Sequence, residues 1–149
     1  ANFTMELAED DNFPLIGLPF RVPESDVQPN QEVEVSVSVT DAESGVKAVT
    51  LFYTITNGTT WENRIMSYNL SASLYEGTIP GQEAGTSVRF EIAACDYVGN
   101  NATRDGTQPY CTYEVVPEFP SSLFLPPLMV LATSIIICTK KRILRKMKT

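Results

Sequence analysis

Not one histidine occurs in these 149 residues. Its absence removes the usual general base, the Ser-His and Cys-His nucleophile pairs, and every imidazole metal ligand. There is no glycine-rich phosphate loop, no Cys-x-x-Cys pair and no nucleophile-elbow motif. Positive charge is scarce over most of the chain: the first 120 residues hold only Arg21, Lys47, Arg64, Arg89 and Arg104. Against these five stand all 18 acidic residues, from Glu6 to Glu118, so the body carries −13 and repels nucleic acid. What is abundant is ordinary: 43% hydrophobic and 19% charged residues describe a globular chain, not a long disordered one.

The remaining basic residues are crowded into the last ten positions, as Lys140, Lys141, Arg142, Arg145, Lys146 and Lys148. Just before them, Leu123 to Cys138 (LFLPPLMVLATSIIIC) carries no charge and only Thr133 and Ser134 as polar residues. Ser121 to Thr139 is roughly the length a helix needs to cross a bilayer, and the basic cluster that follows is a stop-transfer pattern. The positive-inside rule then puts the tail in the cytoplasm and residues 1 to about 120 outside. Pro126 and Pro127 fall near the start of the span, where the backbone N–H has no helical partner anyway. A soluble buried helix is the competing reading, but six basic residues seldom follow one. The start, ANFTMELAED, has no basic residue and no apolar stretch of the kind that opens a signal peptide. Either a signal has been removed or this is the C-terminal piece of a longer surface protein, and the linker-like residues 1–16 favour the second.

Between linker and span the chain reads as β-structure. Val33, Val35, Val37 and Val39 alternate with Glu32, Glu34, Ser36 and Ser38, the period of a half-buried strand. A turn at DAESG leads to a second strand in which Val49, Leu51, Tyr53 and Ile55 share a face. Asn57-Gly58 is a strong hairpin signal. Return strands are predicted over 61–68 and 74–79, the latter closed by Pro80-Gly81. Val88, Phe90, Ile92 and Ala94 alternate with Arg89, Glu91, Ala93 and Cys95 in a further strand. A long loop rich in Gly, Asn and Asp then precedes a last strand over 110–116. With a short strand near Phe20 to Val22 the number is seven, and about 100 residues suit one antiparallel sandwich.

The run VEVSVSVTDAESGVKAVTLFYT, Trp61 with Met66, GTIPG, GTSVRFEIAACDYVGN and YCTYEVV together resemble the fibronectin type III-like and immunoglobulin-like modules of archaeal and bacterial surface proteins. The turns at Asp41 (D-x-x-SGV) and Asp96 (D-x-x-GN) are the most specific pieces. The PEFPSS motif, apolar span and basic end resemble C-terminal anchors of archaeal surface proteins, some of them proposed sortase substrates. The resemblance implies an all-β, seven-stranded antiparallel β-sandwich over residues 17–116 with a single C-terminal transmembrane helix. It divides the chain into a linker (1–16), the sandwich, a juxtamembrane stretch (117–122), the span (123–139) and a basic tail (140–149). It supplies no catalytic residue, since such modules serve mostly as spacers or binding accessories.

Several residues are candidates for sites. Four Asn-x-Ser/Thr triplets begin at Asn2, Asn57, Asn69 and Asn101, and an exterior domain could carry glycans there. Cys95 and Cys111 end and begin strands of one predicted hairpin, and an oxidising exterior permits a disulfide. Register works against it: opposing the cysteines puts Ile92 against Glu114 and Ala94 against Thr112. Pairing Ile92 with Val115 and Ala94 with Tyr113 restores the apolar face but offsets the sulfurs by one, so only a β-bulge reconciles the two. Two free thiols are the alternative. Cys138 lies in the span and reads as a packing residue.

The loops after the second and sixth predicted strands emerge at the same end of such a sandwich. They bring Asp41 and Glu43 toward Asp96 and Asp105, a carboxylate set of the kind calcium takes. Turn capping by Asp and Asn is the alternative, and otherwise no cofactor is expected. Trp61 reads as sheet-face packing in preference to a sugar platform. Glu32/Glu34 and Asp10/Asp11 read as solvated faces.

The function expected is therefore a non-enzymatic, membrane-anchored outward module that spaces or binds at the cell surface. Its partners are the bilayer, neighbouring modules of a longer chain, and other surface proteins or glycans. Two alternatives share these residues: the C-terminal spacer of a surface hydrolase with its catalytic domain upstream, and an adhesin whose loop end binds a glycan or protein. The PEF motif admits either a permanent anchor or a sorting cut; the length of the span and its six basic residues favour the anchor.

Overall fold

In the computed structural model the described residues are 10–105 and 108–117. They form an all-β, sandwich-like body built from short antiparallel strands. In chain order these are β1 (Leu15–Ile16), β2 (Phe20–Val22), β3 (Val33–Val37), β4 (Val39–Thr40), β5 (Val46–Thr54) and β6 (Glu62–Ile65). After them come β7 (Ser67–Asn69), β8 (Leu74–Ile79), β9 (Ser87–Asp96), β10 (Asn101–Arg104) and β11 (Thr112–Glu114). One sheet runs β2-β3-β8-β7; the other runs β10-β9-β5-β6, with β11 also on β9; β1 and β4 make a small ribbon.

The alternation read in the sequence decides which faces are buried. Val33, Val35 and Val37 of β3 are fully buried, as are Val49 and Leu51 of β5 and Val88, Phe90 and Ile92 of β9. These side chains join one continuous core with Ile79, Val27 and Val115. Each buried side chain of this size contributes about 1.5–3 kcal/mol relative to exposure, so the inward faces account for most of the drive to fold. Ile55 departs from the expected face: β5 ends at Thr54, and Ile55 is exposed while Thr54 is buried.

The return strand expected over 61–68 is two strands in different sheets. Glu62–Ile65 pairs with β5, whereas Ser67–Asn69 pairs with β8. Met66, buried between them, makes the crossing, its N–H donating to the Val49 carbonyl at 2.9 Å. Gly77 on β8 leaves room for it: a Cβ there would stand 3.1 Å from Met66 Cγ and 3.3 Å from Leu51 Cδ2.

β9 is the spine of its sheet. It pairs with β5 from Arg89 to Asp96, while its other edge is shared by β10, with Cys95 opposite Asn101 and Ile92 opposite Arg104, and β11, with Arg89 opposite Thr112. The turn after β9 is therefore a tight one at 97–100, not a long loop. A short 3-10 turn at Pro109–Cys111 precedes β11.

The two ends of the body are distinct. Asp96 at the end of β9 pairs with Val46 at the start of β5, so the loops after β4 and β9 share one end. β1 begins there too, Leu15 opposite Thr40. At the opposite end, Val115 donates to the Thr86 carbonyl and Val116 to that of Val27, both at 2.9 Å, beside the start of β9. The described chain thus comes in at one end and leaves, at Pro117, from the other.

The division of contacts falls in the same place, between Ala1–Pro117 and Glu118–Thr149. The predicted span (123–139) and basic tail lie outside the described residues, and among those described no helix is long and apolar enough to cross a membrane.

Candidate functional site

Three carboxylates converge at the end where the chain comes in. Asp10, Asp41 and Asp96 each place an oxygen within 4.8 Å of the other two. They come from three separate pieces of backbone: the segment before β1, the turn after β4 and the last residue of β9. Asp41 and Asp96 are positioned by their own turns, and Asp10 by contacts from distant parts of the chain as well.

Asp41 caps its own turn. Its Oδ1 accepts from the Gly45 N–H at 2.7 Å, the Glu43 N–H at 3.3 Å and the Ser44 hydroxyl at 3.4 Å, and Gly45 takes the left-handed φ of 83° that lets the turn close. Asp96 does the same one loop over: its Oδ1 accepts from the N–H groups of Val98, Gly99 and Asn100 at 2.9, 2.6 and 2.8 Å. Asp10 is held from both sides, with Asn12 N–H donating to Oδ1 at 2.9 Å and Ser44 N–H to Oδ2 at 3.0 Å. Asn100 completes the join, its Nδ2 donating to the carbonyls of Asp10 and Asn12, each at 2.9 Å.

The second oxygens are another matter. Oδ2 of Asp41 and Oδ2 of Asp96 are buried and accept no hydrogen bond. Asp96 as a whole is only 1% exposed. Among the described residues no lysine or arginine pairs with any of the three carboxylates. Two of them, Asp10 and Asp96, are nonetheless held toward the ionised form. Hydrogen bonds from Ser44 and Asn12 hold the Asp10 carboxyl below the usual carboxylate range, against burial and the Asp96 charge. For Asp96, burial works against the charge, but the donors from Gly99, Asn100 and Val98 outweigh it, and its carboxyl too lies below that range. A carboxylate cluster with two buried oxygens left without donors suits a hard cation.

Of the four carboxylates expected from the sequence, Asp41 and Asp96 come together and two do not. Glu43 instead accepts from Asn12 Nδ2 at 2.8 Å, tying down the incoming segment from outside the triad. Asp105 follows β10, whose last residue, Arg104, lies opposite Ile92, about 14 Å along β9 from Asp96 at roughly 3.4 Å per residue. The long-loop reading put it too near the turn. Asp10, read in the sequence as half of a solvated pair, takes the third place. Nothing local marks it: its hydrogen bond to Ser44 spans 34 residues.

The other candidate residues separate as well. Cys95 and Cys111 are both free thiols. Thr112 opposes Arg89, so Cys111 lies at the level of Phe90, five positions from Cys95, or about 17 Å at roughly 3.4 Å per residue. A disulfide needs Cα atoms within about 7 Å, so the expected bridge is corrected to two separate thiols. The reason is the register: β10 takes the stretch of β9 that the sequence reading gave to the last strand. Burial pushes the Cys111 thiol up to about 11.

Asn57 is exposed at a loop tip, with φ of 52°. Asn101 is exposed at the start of β10, and its Nδ2 donates to the Gly99 carbonyl at 2.8 Å. The side chain of Asn69 is engaged with Glu76 at 2.9 Å and caps the turn through Ser71 and Ala72. Asn2 lies outside the described residues. Trp61 is half-buried on the sheet face beneath the Arg89 guanidinium, 5.2 Å from its ring centroid.

Comparison with known proteins adds one finding. A family model described as a domain of unknown function, DUF7743, matches residues 27–126. No curated protein matches the chain.

Proposed function

The chain belongs to the DUF7743 family, and on that premise we propose that it is a membrane-anchored, outward-facing module of immunoglobulin-like or fibronectin type III-like fold. It acts without chemistry of its own, holding neighbouring parts of a surface protein apart or presenting them to partners. The observation that carries this reading is the route of the chain. It comes in beside the carboxylate cluster and leaves at Pro117, at the opposite end of strands that reach ten residues in β9. A module threaded end to end adds its full length, about 34 Å at roughly 3.4 Å per residue, to whatever it joins.

The anchor rests on the apolar stretch and the six basic residues that follow it. The charge of −13 on the body favours hydration in such a position. Asn57 and Asn101, exposed on loops or strand ends, are the glycan carriers we propose.

Extraction tests the anchor. Membranes washed with high salt and alkaline carbonate should retain the full chain, and detergent should release it. Recovery in the wash would reject it.

A further inference from the structure

We propose that Asp10, Asp41 and Asp96 form a calcium site that clamps the incoming segment onto the end of the sandwich. Two independent observations meet here. The first is the geometry: three carboxylate oxygens lie within 4.8 Å of one another. Two oxygens that share a calcium ion at about 2.3–2.6 Å stand at most about 5 Å apart, and three spread evenly around it at most about 4.5 Å, so one ion reaches all three with at most a shift of a few tenths of an ångström. Magnesium, at about 2.0–2.1 Å and with strict octahedral geometry, needs them drawn to within about 4.2 Å. The second is the pair of orphan oxygens. Asp96, 1% exposed, spends Oδ1 on three N–H donors and leaves Oδ2 buried with none, and Oδ2 of Asp41 is in the same condition. A buried, unpaired carboxylate oxygen is costly, and a bound cation removes that cost.

The donor set selects the ion by class. It is all oxygen, the chain has no histidine, and the flanking Cys95 belongs to the opposite face of β9 from Asp96. That favours a hard cation over zinc or copper. Calcium takes six to eight ligands, so water fills what the carboxylates leave. The mechanical consequence follows from where Asp10 sits. Asp41 and Asp96 belong to the sandwich, whereas Asp10 belongs to the segment that precedes β1 and is otherwise attached by Asn12, Asn100 and Ser44 hydrogen bonds. An ion bridging all three converts a hydrogen-bonded strap into a fixed joint.

The test uses the full chain in detergent, stripped with EDTA and titrated with calcium chloride or magnesium chloride. Calorimetry should show one saturable calcium site, with affinity in the ~0.1–1 mM range typical of extracellular modules. At 10 mM calcium the melting temperature should rise on the order of 5–15 °C, and magnesium should give a smaller rise. Asp10→Asn lies outside the core and Asp96→Asn keeps an acceptor for the turn, so both should fold. Each should weaken calcium at least tenfold, while Glu43→Gln should bind as the parent does. Absence of saturable calcium binding to the folded parent would overturn the proposal, as would magnesium binding as tightly as calcium. Wild-type affinity in Asp10→Asn would overturn the clamp.

Discussion

Burial and local donors set the ionisation of several residues, and with it how stability should change with pH. Asp10 and Asp96 have carboxyls held below their ordinary value. They contribute stability that is present above about pH 4, the unfolded value, and is lost as pH falls through the lowered folded values. Tyr113 is the opposite case: burial pushes its hydroxyl up to about 12. It joins Cys111 in favouring the neutral form, so their contribution is present below about pH 9 and is lost as pH rises toward 12. In EDTA, melting temperature against pH should therefore fall off at both limits, below pH 4 and above pH 9. A flat acid limb would mean that the hydrogen bonds these carboxylates accept are not formed. The same burial makes Cys111 slow to alkylate in the folded chain while half-exposed Cys95 reacts. Equal labelling of the two would contradict this packing. Residues whose role follows a short period were legible in sequence, as Val33, Val35 and Val37 were. Asp10 was not, because its partners arrive from 31 and 86 positions away and no local pattern announces them.

Among the elements, the valine faces and the crossing at Met66 make opposite demands. Val35 is completely buried at the centre of β3, so Val35→Asp puts an unpaired charge in the core and should abolish cooperative β-type melting. A variant that melts like the parent would show that this face is not the core. Gly77 works by absence of bulk. Gly77→Val would press on Met66 and Leu51 and should cost about 1–3 kcal/mol in denaturant unfolding, as overpacking does. No loss would mean that the crossing is looser than the contacts indicate.

Strand existence was legible for β3, β5, β8 and β9 because alternation and turn signals agree there. Two features were hidden. The switch of sheets within 61–68 depends on which neighbour each half pairs with, and that is decided by tertiary packing around Met66. The sharing of one edge of β9 between β10, which lies in the expected loop, and β11 depends on register along β9, and it carried the cysteine pairing and Asp105 away with it. Asn57-Gly58 did mark a turn, both residues having positive φ, but inside a seven-residue connection from Ile55 to Trp61.

For the whole molecule, the asymmetry of charge and the route of the chain point the same way. An acidic body, an apolar stretch and a basic end follow one another along the sequence, the order that the proposed anchor requires. Within the body the chain passes from the carboxylate end to the opposite one, where the described residues reach Pro117. The most direct test is protease shaving of intact cells that carry the full chain, with the peptides read by mass spectrometry. Peptides from residues 10–117 should be released, and the segment from Lys140 to Thr149 should be protected until the membrane is opened. Protection of the body in intact cells, or release of the basic tail with it, would contradict the account.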